Sequence, residues 1–209
     1  MNTDYKTFWR KSGLKKNWGN IFLKIINQHK PKVFLEIGVF CGVTARNVCE
    51  LLHKIHKDKF KYIGIDIFEN DEKSKDEVIP NINFKNPLKH FYFRYIKREN
   101  PYSLNSVKEL LKKFEKNVEI IKGDSKKILP KIDLSNVDYV FLDGGHSYET
   151  VKNDLNNCKI VIENKGIVLC DDYNLSYAPG VKKAIDEFSS NEQYEIKILF
   201  DRFARIKKK

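Results

Sequence analysis

The chain has no run of about 18 consecutive apolar residues, the length that marks a membrane-spanning helix, so no transmembrane segment is expected. The start of the chain, MNTDYKTFWRKSGLKKNWGN, lacks the apolar core of a signal peptide, and a cytoplasmic location is the expectation. Cysteine is sparse. Cys41, Cys49, Cys158 and Cys170 form no C-x-x-C pair and sit in no secretory context, so they read as reduced thiols. There is no G-x-x-x-x-G-K-[ST], which argues against a P-loop. No internal repeat and no low-complexity linker interrupts the chain.

What is present fits one globular domain spanning residues 1–209. At 209 residues, 41% hydrophobic and 12% aromatic, the chain is long enough and apolar enough to bury a sizeable core. The formal charge of +11 invites a nucleic-acid reading. Lysine greatly outnumbers arginine, however, and the lysines are scattered, which reads as a solvated basic surface; nucleic acid is an unfavoured partner. An anionic substrate such as a sugar phosphate or nucleotide sugar would suit the same surface. A homo-oligomer is compatible with this composition.

Strand-like and helix-like segments alternate. Strands are predicted at 32–37, 61–68, 118–123, 138–143, 166–171, 194–200 and 203–208, and helices at 43–55, 103–116, 147–162 and 179–189. Residues 1–30 read as a helical N-terminal segment, and 69–102 as an insert that could act as a lid. The alternation predicts an α/β fold with a mostly parallel sheet, helices on both faces and an antiparallel strand at one edge from the closing hairpin.

The most informative stretch is 33–44, VFLEIGVFCGVT: a buried strand, then Glu36, Gly38 and Gly42, then a helix. A dinucleotide fingerprint would need a second glycine where Phe40 stands, so NAD and FAD are disfavoured. Cys41, inside this turn, reads as a small residue and not as a nucleophile. Acids close the other predicted strands too: Asp66, Asp124 before Ser125, Asp143, and the pair Asp171–Asp172. So many carboxylates at one sheet edge repel one another and raise their own pKa values. A cation or a polyhydroxyl ligand is needed to balance them. Asp143, Asp171 and Asp172 form an oxygen-ligand set of the kind Mg²⁺ prefers. His146 follows in LDGGHSYETVKNDL, placed to accept a proton beside such a metal.

The pattern E-x-G-x-x-x-G resembles motif I of the class I S-adenosylmethionine-dependent methyltransferases. DYVFLDGGHSYETVKNDL followed by GIVLCDDY resembles the macrocin O-methyltransferase-like branch of methyltransferase family 24, metal-dependent sugar O-methyltransferases. It is also similar to catechol O-methyltransferase, except that His146 and Asp172 stand where that family has Lys and Asn. The resemblance covers roughly residues 31–175 and implies a Rossmann-like seven-stranded sheet. It implies that S-adenosylmethionine lies along Glu36, Gly38, Phe40, Gly42 and Thr44, with its ribose on Asp66, its adenine near Asp124 and Ser125, and Asp143 at its edge. It implies Mg²⁺ on Asp143, Asp171 and Asp172, with His146 as the base. The implied acceptor is a sugar, glycan or other small polyhydroxyl molecule. RNA ribose methylation, a catechol-type acceptor and a non-catalytic nucleoside-binding scaffold are the alternatives. LDGGH in place of an N/D-P-P-Y motif disfavours methylation of nucleic-acid amines.

Overall fold

The structure is a computed structural model that describes residues 4–68, 86–190 and 193–209. Seven strands form one sheet in the order β3-β2-β1-β4-β5-β7-β6. They are β1 (Val33–Ile37), β2 (Lys61–Asp66), β3 (Val118–Lys122), β4 (Tyr139–Leu142), β5 (Ile167–Cys170), β6 (Tyr194–Leu199) and β7 (Phe203–Lys208). The first five run parallel; β7 runs antiparallel to β5, and β6 pairs with β7 as the edge. The antiparallel strand therefore stands one place in from the edge.

The central strands are apolar on both faces because helices cover both. One face packs against α1 (Lys16–His29), α2 (Val43–His56) and the later helix Leu104–Leu111, through residues such as Phe22, Ile26, Val48, Leu52 and Val107. The other packs against Tyr148–Asn157, Lys159–Glu163 and Pro179–Ser189, through Val151, Leu155, Ile162, Val181 and Ile185. The alternation within β1 decides which side chain goes where: Phe34 joins the first cluster, Leu35 and Ile37 the second. Phe34 is sandwiched between its register partners, stacked on Tyr139 at 5.5 Å and on Tyr62 at 6.0 Å.

The predicted helix 147–162 is two helices, broken where Cys158 takes φ −80° and ψ 0°. The predicted helix 103–116 ends its regular α-turns at Leu111 and tightens over Lys112–Phe114. The N-terminal segment is only partly helical. Residues 4–15 form an irregular arm that leads into α1. Within the predicted insert, Pro87–Phe91 is helical and Tyr92–Lys97 continues in wider turns; residues 69–85 lie outside the described part. Among the described residues, no helix is long and apolar enough to cross a membrane.

Candidate active site

The carboxyl ends of β1, β2, β3, β4 and β5 open onto one cavity of about 550 Å³. Gly38, Phe40, Thr44, Asp66, Asp124, Ser125, Asp143, His146 and Asp172 all line it. Nine of the sequence-predicted residues thus share one wall system, as the strand-end rule for open α/β sheets requires.

Local geometry explains the glycine turn. Gly38 has φ +94° and Gly42 φ +75°, in the left-handed region that a Cβ disfavours. Phe40 also takes φ 50°, held there by a hydrogen bond from its backbone N–H to Asp66 Oδ2 at 2.8 Å. Asp66 additionally accepts from the Phe68 N–H at 2.6 Å and the Tyr102 hydroxyl at 3.0 Å. Burial pushes the Asp66 pKa up, while the hydrogen bonds from Phe40 and Phe68 pull it back. Asp124 caps the short helix Ser125–Ile128, accepting from the Lys126 N–H at 2.9 Å, and faces the cavity as well.

Three predicted residues stand apart from the cavity wall: Glu36, Gly42 and Asp171. Glu36 is fully buried within β1, accepts a hydrogen bond from the Tyr62 hydroxyl, and is pushed up to about 8 by burial. Its Oε1 has no partner among the described residues. Gly42 begins α2, with Val107 and Leu110 packed against it.

The acids of β4 and β5 converge. One ligand oxygen from each of Asp143, Asp171 and Asp172 lies within 4.8 Å of the others. Burial, then the neighbouring Asp171 and Asp172, holds the Asp143 carboxyl well above the usual carboxylate range. Burial likewise pushes Asp171 up to about 6, against the pull of its hydrogen bond to Arg202. His146 Nε2 is 3.0 Å from Asp172 Oδ2, and the Tyr177 hydroxyl donates to the same oxygen at 3.0 Å.

Sequence reasoning missed two contributors. Arg202 follows β6, at a position read only as half of a tight turn. Its guanidinium grips Asp171 with two hydrogen bonds of 2.6 Å each and reaches Asp172 at 3.1 Å. The signal was available: six arginines stand among 39 basic residues, and the acid surplus called for a buried cation. The second is the N-terminal arm. Lys11, Ser12 and Gly13 line the cavity, and the buried Tyr5 fixes the arm to the glycine turn by bonding Ser12 Oγ at 2.7 Å and Thr44 Oγ1 at 2.9 Å. The reading of residues 1–30 as a helical segment does not bring this arm to the cavity.

The chain resembles solved methyltransferases in fold. SAH-bound PaMTH1 of Podospora anserina superposes with a TM-score of 0.64 at 16% identity, covering 94% of this chain and 80% of that one. The O-methyltransferase NovP gives 0.64 at 17% identity, with 91% and 81% covered. CalS11, a calicheamicin methyltransferase, gives 0.62 at 16% identity, with 90% and 77% covered. No curated protein matches the sequence. The profile of a family described as a methyltransferase domain matches residues 35–173, well over half of the chain. The chain belongs to this methyltransferase-domain family.

Proposed function

We propose that the protein methylates a hydroxyl of a sugar, glycan or related small polyhydroxyl acceptor, with a divalent cation, Mg²⁺, as its metal. The observation that carries this is the joining of two halves in one cavity: the glycine turn with Asp66 at one part, and the acid cluster with His146 at another. CalS11, named as a TDP-rhamnose 3′-O-methyltransferase, gives a sugar acceptor a precedent on this fold.

The residues present fit both absent groups. A cavity of about 550 Å³ lies within the usual range for small-ligand sites, and its strand-end acids suit the hydroxyls and amines of a nucleoside. The three carboxylates are hard oxygen donors close enough to share one ion. After Arg202 is counted, they retain a formal charge of −2, which a divalent ion neutralises.

Asp143, Asp171 and Asp172 would hold the metal, and the loop from Gly38 to Thr44 with Asp66, Asp124 and Ser125 would hold the cofactor. When bound, S-adenosylmethionine supplies an electrophilic methyl group, and the cation lowers the pKa of a nearby hydroxyl. His146 is the proton acceptor in this reading. With Nε2–H donated to Asp172, the basic lone pair sits on Nδ1, and the carboxylate fixes the ring orientation. The Tyr177 hydroxyl braces the same Asp172 oxygen. The chain's remaining contribution is orientation of the acceptor against the cofactor.

The test is a methyl-transfer screen with labelled S-adenosylmethionine against nucleotide sugars, glycans, catechols and RNA, each with and without Mg²⁺. An O-methylated sugar formed only with Mg²⁺ supports the reading. Methylation confined to RNA or to a nitrogen overturns it.

A further inference from the structure

The acid cluster contains a cation of its own. Arg202 follows β6 at a turn in which Phe200 and Asp201 both take positive φ, 54° and 59°. Its main chain is pinned, because the Arg202 carbonyl accepts from the Tyr173 N–H at 2.9 Å. Its side chain is pinned as well. The guanidinium lies 5.3 Å from the Trp18 ring and 5.7 Å from the Phe203 ring, and the side chain is 11% exposed. A planar fork stacked on aromatics and bonded to both oxygens of Asp171 is a site for which arginine is suited and lysine is not.

The same guanidinium nitrogen that holds Asp171 Oδ2 also reaches Asp172 Oδ1, so one residue spans both neighbouring acids. The opposite oxygen of Asp172 belongs to His146 and Tyr177. Asp143, on the adjacent strand, completes the cluster. The guanidinium is therefore a fixed member of the cluster, held by both acids and by the two aromatic rings.

We propose that Arg202 is a positioning residue that orients Asp171 and Asp172 and sets the formal charge of the cluster at −2, matching it to one divalent cation. The inference rests on the metal reading under Proposed function. Removing the guanidinium leaves −3, a charge that favours a trivalent ion.

Ion preference is the readout, because a merely structural loss would weaken both ions alike. Binding of Mn²⁺ (by electron paramagnetic resonance) and of Tb³⁺ (by sensitised luminescence) is measured on the wild-type protein, Arg202→Gln and Arg202→Lys, with folding checked by circular dichroism. The wild type is expected to bind one Mn²⁺. Arg202→Gln is expected to shift the Tb³⁺-over-Mn²⁺ affinity ratio by about tenfold or more towards Tb³⁺. Arg202→Lys, which keeps the charge and loses the fork, is expected to keep the wild-type ratio while binding both ions more weakly. The lysine variant keeps the test decisive if glutamine proves unstable. An unchanged ratio in Arg202→Gln, or a lysine variant that shifts the ratio towards Tb³⁺, overturns the inference while leaving the metal reading standing. A wild-type protein that binds no Mn²⁺ overturns both.

Discussion

Gly38 abuts Asp143 so closely that a methyl group on its α-carbon would stand 2.1 Å from the Asp143 main-chain oxygen. The end of β1, where the cofactor turn begins, and the end of β4, where the acid cluster begins, are thus in direct backbone contact. The Asp143 N–H to Ile37 carbonyl bond, 2.9 Å, closes the same junction. The two halves of the proposed site share one rigid corner.

Gly38→Ala should therefore damage both halves at once. The added methyl meets main chain, which cannot rotate away, and the position has positive φ. The expected cost is about 1–3 kcal/mol in denaturant unfolding. Weaker S-adenosylmethionine binding by calorimetry should accompany it. A variant with wild-type stability and affinity would show that the corner yields more easily than its geometry indicates.

His146→Ala should lower kcat by about 10²–10⁴, the usual contribution of a positioned base. Its cofactor affinity should stay close to that of the wild type, because the binding turn and Asp66 are untouched. Turnover equal to wild type would remove His146 from the role.

Glu36 makes stability depend on pH. Its folded pKa, about 8, lies above its ordinary value of 4.5 because burial disfavours the charged form. Between these values the unfolded chain loses a proton that the native state keeps. Stability from this group is thus fully present below about 4.5 and is lost as pH rises through about 8. Glu36→Gln carries no such proton. Its stability relative to wild type should rise between pH 5 and pH 8, measured by urea unfolding at both values. A pH-independent difference would count against the raised pKa.

Phe34→Ala tests the sheet that positions the site. The side chain is fully buried and stacked on both register partners, so truncation should cost about 3–5 kcal/mol. A loss under about 1 kcal/mol would mean that Tyr62 and Tyr139 close over the gap.

The parts of the fold legible in the sequence were those governed by local pattern. Five apolar strands each end in an acid, and the structure brings Asp66, Asp124, Asp143 and Asp172 to one cavity because parallel strands end on the same side. The hairpin of β6 and β7 was also legible, since Asp201–Arg202 separates two apolar runs. Where its side chains go was not. Arg202 reaches Asp171 across 31 positions of sequence, and no periodicity encodes that reach. The arm fails for a related reason. Tyr5 meets Thr44 across 39 positions, and an aromatic cluster near α1 looks the same whether it packs as a helix or lies along a pocket. Glu36 shows the converse: the motif was readable, yet the period-two alternation of β1 turns this side chain into the core beside Tyr62, away from the cavity wall.

Metal dependence tests the central claim most directly. The protein, stripped with EDTA and dialysed, is supplied with labelled S-adenosylmethionine and the acceptor that responds best in the screen, and Mg²⁺ is titrated in. The account predicts that transfer is lost on stripping, returns as Mg²⁺ is added, and does not return in Asp143→Ala. Full transfer by the stripped enzyme would contradict it.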